Sequence, residues 1–246
     1  MKKILSSAAL ALILAVTTFA SGHGFAAAKQ EKILYKAEMK SEKELRKDAL
    51  SGNKEREFKN LKIQFKDETG KVVKDLSQYS HYTVQKLKET QVGEQVISDF
   101  VIYAVSDPTG YNGMDNDSNP ASNFTQTVWM WTSIIKENNI DKWGKATRYE
   151  ARWDLHDANG LTIQSGEFTA KANGISKSTG KNVNYSDPKP YYPPSWGQQY
   201  IKTPSWDYVQ IDNQLGGFGA RLKTPYTART SSGTLYSTVS VGSISF

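Results

Sequence analysis

The sequence predicts a mainly β protein, an antiparallel β-sandwich carrying at most one short helix. Three observations point there. Apolar and polar residues alternate over many short segments. Clusters of Gly, Asn, Asp and Ser punctuate those segments at short intervals. The chain also holds 6 Trp, 13 Tyr and 9 Phe, enough large rings to fill a core between two sheets.

Along the chain, Lys2 and Lys3 precede an uncharged apolar run from Ile4 to Ala20, and small residues follow. Ala26 and Ala28 satisfy an A-x-A cleavage pattern, so residues 1–28 read as a secretory signal peptide cut before Lys29. A cut after Ala20 and an uncleaved anchor are the alternatives. Removing Lys2 and Lys3 leaves 29 basic against 25 acidic side chains, a net +4. The expected product is secreted, extracellular and not lipidated, and its lack of cysteine fits a bacterial source.

Residues 29–75 are densely charged and read as a strand and hairpin region of the same domain. Ile33, Tyr35, Ala37 and Met39 alternate as a strand. Leu45 with Ala49 allows one short helix before the turn signal Ser51-Gly52-Asn53. Leu61, Ile63 and Phe65 alternate again, and Asp67 to Gly70 turns the chain into Val72 and Val73.

Residues 76–246 read as the sandwich proper. Tyr82 to Val84 and Val96 to Val105 are rich in β-branched and aromatic residues. Residues 124–139 carry two patterns: Phe124, Val128, Trp131 and Ile135 have helical spacing, whereas Thr127 to Thr132 is dense in strand formers. Strand is the preferred reading, because the neighbouring segments are strands. Thr147 to His156 is the clearest strand. Tyr149, Ala151, Trp153 and Leu155 share one face; Arg148, Glu150, Arg152, Asp154 and His156 share the other. Asp157 to Gly160 is expected to close a hairpin into Leu161 and Ile163. Phe218, Ala220 and Leu222, then Leu235, Val239 and Val241, complete the pattern.

Composition excludes several function classes. Without cysteine there is no disulfide scaffold and no thiolate-ligated metal centre. The one long apolar run is N-terminal, so no bundle of membrane-spanning helices is encoded. The basic excess is interleaved with acids and forms no nucleic-acid stripe.

Four features carry candidate chemistry. Residues 185–208 form a Pro/aromatic loop with five of the eight prolines. Tyr191, Tyr192, Trp196 and Trp206 are its candidate ligand-binding residues. Flat rings on a stiff backbone stack against sugars or other ligands at small entropic cost. The competing reading is a crossover whose rings pack back on the sandwich.

The second feature is the loop Asp107 to Asn119. Asp115, Asp117 and Asn119 have an alternation that suits calcium, but Pro120 and Gln126 stand where a calcium loop needs Gly and Glu. No cofactor is therefore expected, and no metal site is assigned. The third is Asp154 with His156, an acid–base or metal pair, to which His81 is the other candidate histidine. The strand's alternating charges also suit a plain solvated sheet face. Neither a G-x-S-x-G nor an H-E-x-x-H motif is present in the sequence. The fourth is the Ser/Thr-rich tail from Thr224 to Ser243, which resembles both a membrane-inserting hairpin and an ordinary amphipathic one.

The leading expectation is an extracellular or cell-surface binding protein whose partner is a polysaccharide or cell-wall polymer. A β-rich pore-forming protein and a secreted hydrolase are the alternatives. Membrane contact is not favoured.

Overall fold

The protein's structure, a computed structural model, describes residues 30–57, 62–64, 80–106, 124–156, 161–212, 216–227, 232–244 and 246. The signal segment, the 67–70 turn, the 107–119 loop and the 157–160 turn lie outside the described residues.

Two antiparallel sheets face each other. Sheet A contains β1 (Glu31–Lys36), β3 (Ser80–Val92), β4 (Gln95–Ser106), β5 (Phe124–Glu137) and β6 (Ile140–Leu155) in that spatial order. Beyond β6 lie two short strands, β9 (Gln199–Lys202) against Tyr149–Arg152 and β10 (Val209–Gln210) against Trp143–Gly144. Sheet B runs β2 (Lys62–Gln64), β12 (Ser232–Gly242), β11 (Gly217–Thr227), β7 (Gly166–Ile175) and β8 (Asn182–Tyr191). Among the described residues there is one helix, α1, which spans Glu42–Ser51.

Two tight turns hold the register of sheet A. Gly93, at φ 62°, opens the loop that pairs Val92 with Gln95. Asn138 and Asn139, at φ 51° and 62°, form a two-residue loop that pairs Glu137 with Ile140. Asparagine tolerates the left-handed region, and that turn type matches the natural strand twist.

Alternation then assigns the faces. Phe100, Ile102, Val128, Met130, Ile134, Tyr149, Ala151 and Trp153 point from sheet A into the core. Phe168, Ala170, Phe218, Ala220, Leu222, Leu235 and Val239 meet them from sheet B. Gly144 is what lets Phe218 approach, since a Cβ there would lie 2.6 Å from the Phe218 ring. One polar cross-link spans the core: Trp153 Nε1 donates to Thr224 Oγ1 at 2.8 Å, and Gln126 Nε2 donates to the same oxygen. A buried indole N–H needs such a partner.

The outer face of sheet A carries a second apolar layer. Leu45 and Ala49 of α1 pack on Val101, Tyr103, Val105 and Trp129. The helix starts in a capping box in which the Ser41 side chain accepts from Glu44 N and Glu44 accepts from Ser41 N at 2.9 Å. It ends at Gly52, at φ 73°. Ten residues form a marginal helix in isolation, so docking sustains it.

One connection differs from expectation. The residues after β6 do not fold back on it as a hairpin. Leu161 to Ser165 contribute only a bridge between Thr162 and Thr227, and β7 pairs with β11 and β8 in the opposite sheet. β6 belongs to sheet A and β7 to sheet B, so the chain changes sheet between them. In sheet B, Thr224 of β11 accepts from the Trp153 indole N–H.

Candidate binding site

The Pro/aromatic segment 185–208 starts in β8 and reaches β9, so it links an edge strand of sheet B to an edge strand of sheet A. Pro188 and Pro190 lie in β8 two residues apart. Proline has no N–H for a ladder and is tolerated on an edge strand, which it protects from further pairing.

Side chains from β8 and from the crossover fill the seam between the two edges. At one end, Tyr185 and Trp206 stack with centroids 5.5 Å apart and planes at 10°. In the middle, buried Lys202 donates from Nζ to the Asp187 carboxylate at 2.6 Å and to its carbonyl at 2.8 Å. At the other end, Tyr191 lies 4.0 Å centroid to centroid from Tyr200, and both rings contact Trp153. Burial raises the Tyr191 pKa, and the nearby Tyr200 and Asp187 add to the shift.

Beyond Tyr191 the chain makes a tight turn that begins with a cis Tyr192–Pro193 bond. Several contacts hold it. Gly197 N donates to the Trp153 carbonyl at 2.8 Å, and Ser195 N donates to the Tyr200 hydroxyl at 2.7 Å. Pro194 sits beside Gly166 and the Trp153 indole. The Trp196 ring leans on Phe124 at 6.4 Å. Gly197 adopts φ 71°, a conformation that side-chain-bearing residues avoid. From this fixed turn Tyr192 projects 75% exposed and Trp196 38% exposed, and Ile201 on β9 adds a further exposed apolar side chain.

The four candidate residues thus divide into two pairs. Tyr191 and Trp206 are half-buried packing residues of the seam. Tyr192 and Trp196 are displayed together on one turn. Tyr185, the partner of Trp206, and Tyr191 lie six residues apart on β8, about 20 Å at the usual rise per residue. The four therefore do not make a single platform. Ile201 faces outward because Tyr200 and Lys202, on either side of it in β9, share the inward face.

The polar face of β6 is occupied by structural pairs. Arg152 donates to both Asp154 oxygens and grips Glu42 of α1, while its guanidinium lies 5.3 Å from the Trp129 ring centre. These bonds raise the Arg152 pKa, the Glu42 bond most of all. Glu150, buried on the same face, contacts Arg148 and Gln199, and burial pushes its carboxyl upward. His156 contacts Thr125. His81 lies on β3, three strands from β6, which is about 14 Å. Asp154 and the two histidines therefore do not converge. Among the described residues no group of three or more His, Asp and Glu side chains is placed to hold a metal ion.

The Ser/Thr-rich tail is the β11–β12 hairpin, with Thr227 paired to Ser232. Its apolar side chains Leu222, Leu235, Val239 and Val241 are core residues. Membrane insertion would have to extract them from between the sheets. No helix among the described residues is long and apolar enough to cross a membrane.

No protein-family model matches the chain, and no curated protein matches it.

Proposed function

We propose that this is an exported binding protein that holds an extracellular polymer, a polysaccharide or cell-wall material, through the Tyr192–Trp196 turn. The observation behind this reading is the exposure of two large rings on a turn tied down by backbone bonds. An exposed aromatic costs little entropy to immobilise when its backbone is already fixed, and its flat face suits the C–H face of a sugar ring. The rigid scaffold of β6, β8 and β9 below the turn supplies the preorganisation that binding needs. Among the described residues, the pairing of Asp154 with Arg152 and the separation of His81 from His156 lend the hydrolase reading no support.

The test is co-sedimentation of residues 29–246 with insoluble cell wall and with insoluble polysaccharides. Tyr192→Ala with Trp196→Ala should lose retention while the circular dichroism spectrum and Tm stay near those of the parent. Trp206→Ala should instead lower Tm, because it opens the Tyr185 stack. Full retention by the Tyr192/Trp196 variant overturns the proposal.

A further inference from the structure

Among the described residues, β1 is the one sheet edge that neither proline nor shortness guards. β8 carries Pro188 and Pro190, and β2, β9 and β10 are 3, 4 and 2 residues long. Proline and brevity are common ways to stop an edge from pairing with another chain. β1 has 6 residues, no proline, and no buried position. Ile33, Leu34 and Tyr35, consecutive in its middle, are large apolar side chains left exposed. β3 pairs with one side of β1, and no described strand pairs with the other.

A bulge sets the faces of this strand. Ile33 pairs with Thr90 and Tyr35 with Glu89, so Leu34 is an extra residue without a partner in β3. Register partners share a face, and successive residues of β3 alternate. Glu31, Ile33 and Lys36, opposite Val92, Thr90 and Lys88, therefore lie on one face of the sheet. Lys32 and Tyr35, opposite Gln91 and Glu89, lie on the other. In an unbroken strand Ile33 and Tyr35 would share a face, and Glu31 and Lys36 would not.

That shift makes β1 complementary to its own reverse. A two-fold axis normal to the sheet keeps like faces together, so residues that meet across it must share a face. Centred between Ile33 and Leu34, an antiparallel pair of β1 strands sets Glu31 opposite Lys36, Lys32 opposite Tyr35 and Ile33 opposite Leu34. The bulge is what brings each of the first two pairs onto one face. The contacts are then an ion pair made twice, a cation over a ring made twice, and an apolar centre. Glu89 is already paired with Lys86 at 2.8 Å, and among the described residues Glu31 and Lys36 have no ion-pair partner in their own chain. Lysines on an edge deter an arbitrary strand; here a second copy supplies the acid that matches.

We propose that two copies of this chain pair through β1, joining sheet A to sheet A in a closed antiparallel dimer. β1 and β9 lie at opposite ends of sheet A, so the pairing leaves the Tyr192–Trp196 turn of each copy uncovered. The inference stands apart from the polymer-binding reading.

Sedimentation velocity of untagged residues 29–246 tests it. Six residues a side make a small contact, so the expected dimer is weak, forming at roughly 10–100 μM and followed from about 1 to about 300 μM. Glu31→Lys and Lys36→Glu each set like charges opposite one another at both symmetry-related contacts, and each should weaken the dimer roughly tenfold. An equimolar mixture of the two variants restores opposite charges at both contacts and should dimerise like the parent. The Glu31→Lys/Lys36→Glu double variant should do the same. Both side chains are exposed, so Tm should stay at the parent value throughout. Tyr192→Ala with Trp196→Ala should dimerise unchanged. A monomer over the whole range overturns the proposal, as does a dimer that the single variants leave intact or the mixture fails to restore. Growth beyond two copies overturns the closed two-fold pairing.

Discussion

Leu45→Ala tests whether α1 is held by its docking on sheet A. Leu45 is 0% exposed and lies among Val101, Tyr103, Val105 and Trp129. Truncating a buried leucine costs about 2–5 kcal/mol, rising with the cavity left behind. The layer above the sheet is a single ten-residue helix free to settle, so the lower part of that range applies, about 2–3 kcal/mol. For a chain of this length that corresponds to a Tm drop of about 5–10 °C. Leu50, in the same helix and 47% exposed, is the matched control: the substitution and helix propensity are the same, and burial differs. Leu50→Ala should stay within about 0.5 kcal/mol. The assay is urea and thermal unfolding followed by tryptophan fluorescence, with hydrogen exchange of the α1 amides as a local probe. A Leu45→Ala drop below about 2 °C, or equal drops for both variants, would refute the docking argument.

Two further outcomes follow from the seam. Asp207 has a folded pKa of about 2 against an ordinary 3.8, because hydrogen bonds from Ser176, Ser178 and the Tyr208 backbone outweigh the upward push of burial. Since the unfolded chain binds the proton more readily, this stabilisation is complete above the unfolded pKa and is lost as pH falls from about 4 through 2. Asp207→Asn should therefore lower Tm at pH 7, and the gap to the parent should narrow in acid melts at pH 2. The Lys202–Asp187 pair should behave asymmetrically. Asp187→Ala strands a buried ammonium and should cost about 1–3 kcal/mol in urea melts, whereas Lys202→Met replaces it with an apolar side chain and should be nearly neutral.

Several elements were legible in the residues because local chemistry decides them. Tyr149, Ala151 and Trp153 alternate with charged residues, and that face is the buried one. The ambiguous stretch from Phe124 is the strand β5, as its strand formers indicated. Leu45 and Ala49, four apart, are the two buried residues of the helix. Other features depended on partners far along the chain. The turn signal after β6 could not say which sheet receives the chain. The rings of residues 185–208 could not be sorted into packing and display, because Tyr185 and Trp206 are half-buried through their mutual stack and their packing against the core.

By itself, then, the sequence determined that this chain builds antiparallel strands with a filled core, since alternation and β-branched content act within a few residues of each other. It also determined that no thiolate metal centre or disulfide framework exists. Tertiary structure decided which of many aromatic side chains face solvent. Exposure is set by what covers a residue, and the cover for Tyr191, Trp129 and Trp206 comes from Trp153 and Tyr200, from α1 and from Tyr185. Tyr192 and Trp196 remain outside because the turn that carries them is tied to Trp153 and Tyr200 through its backbone, which leaves the two rings exposed.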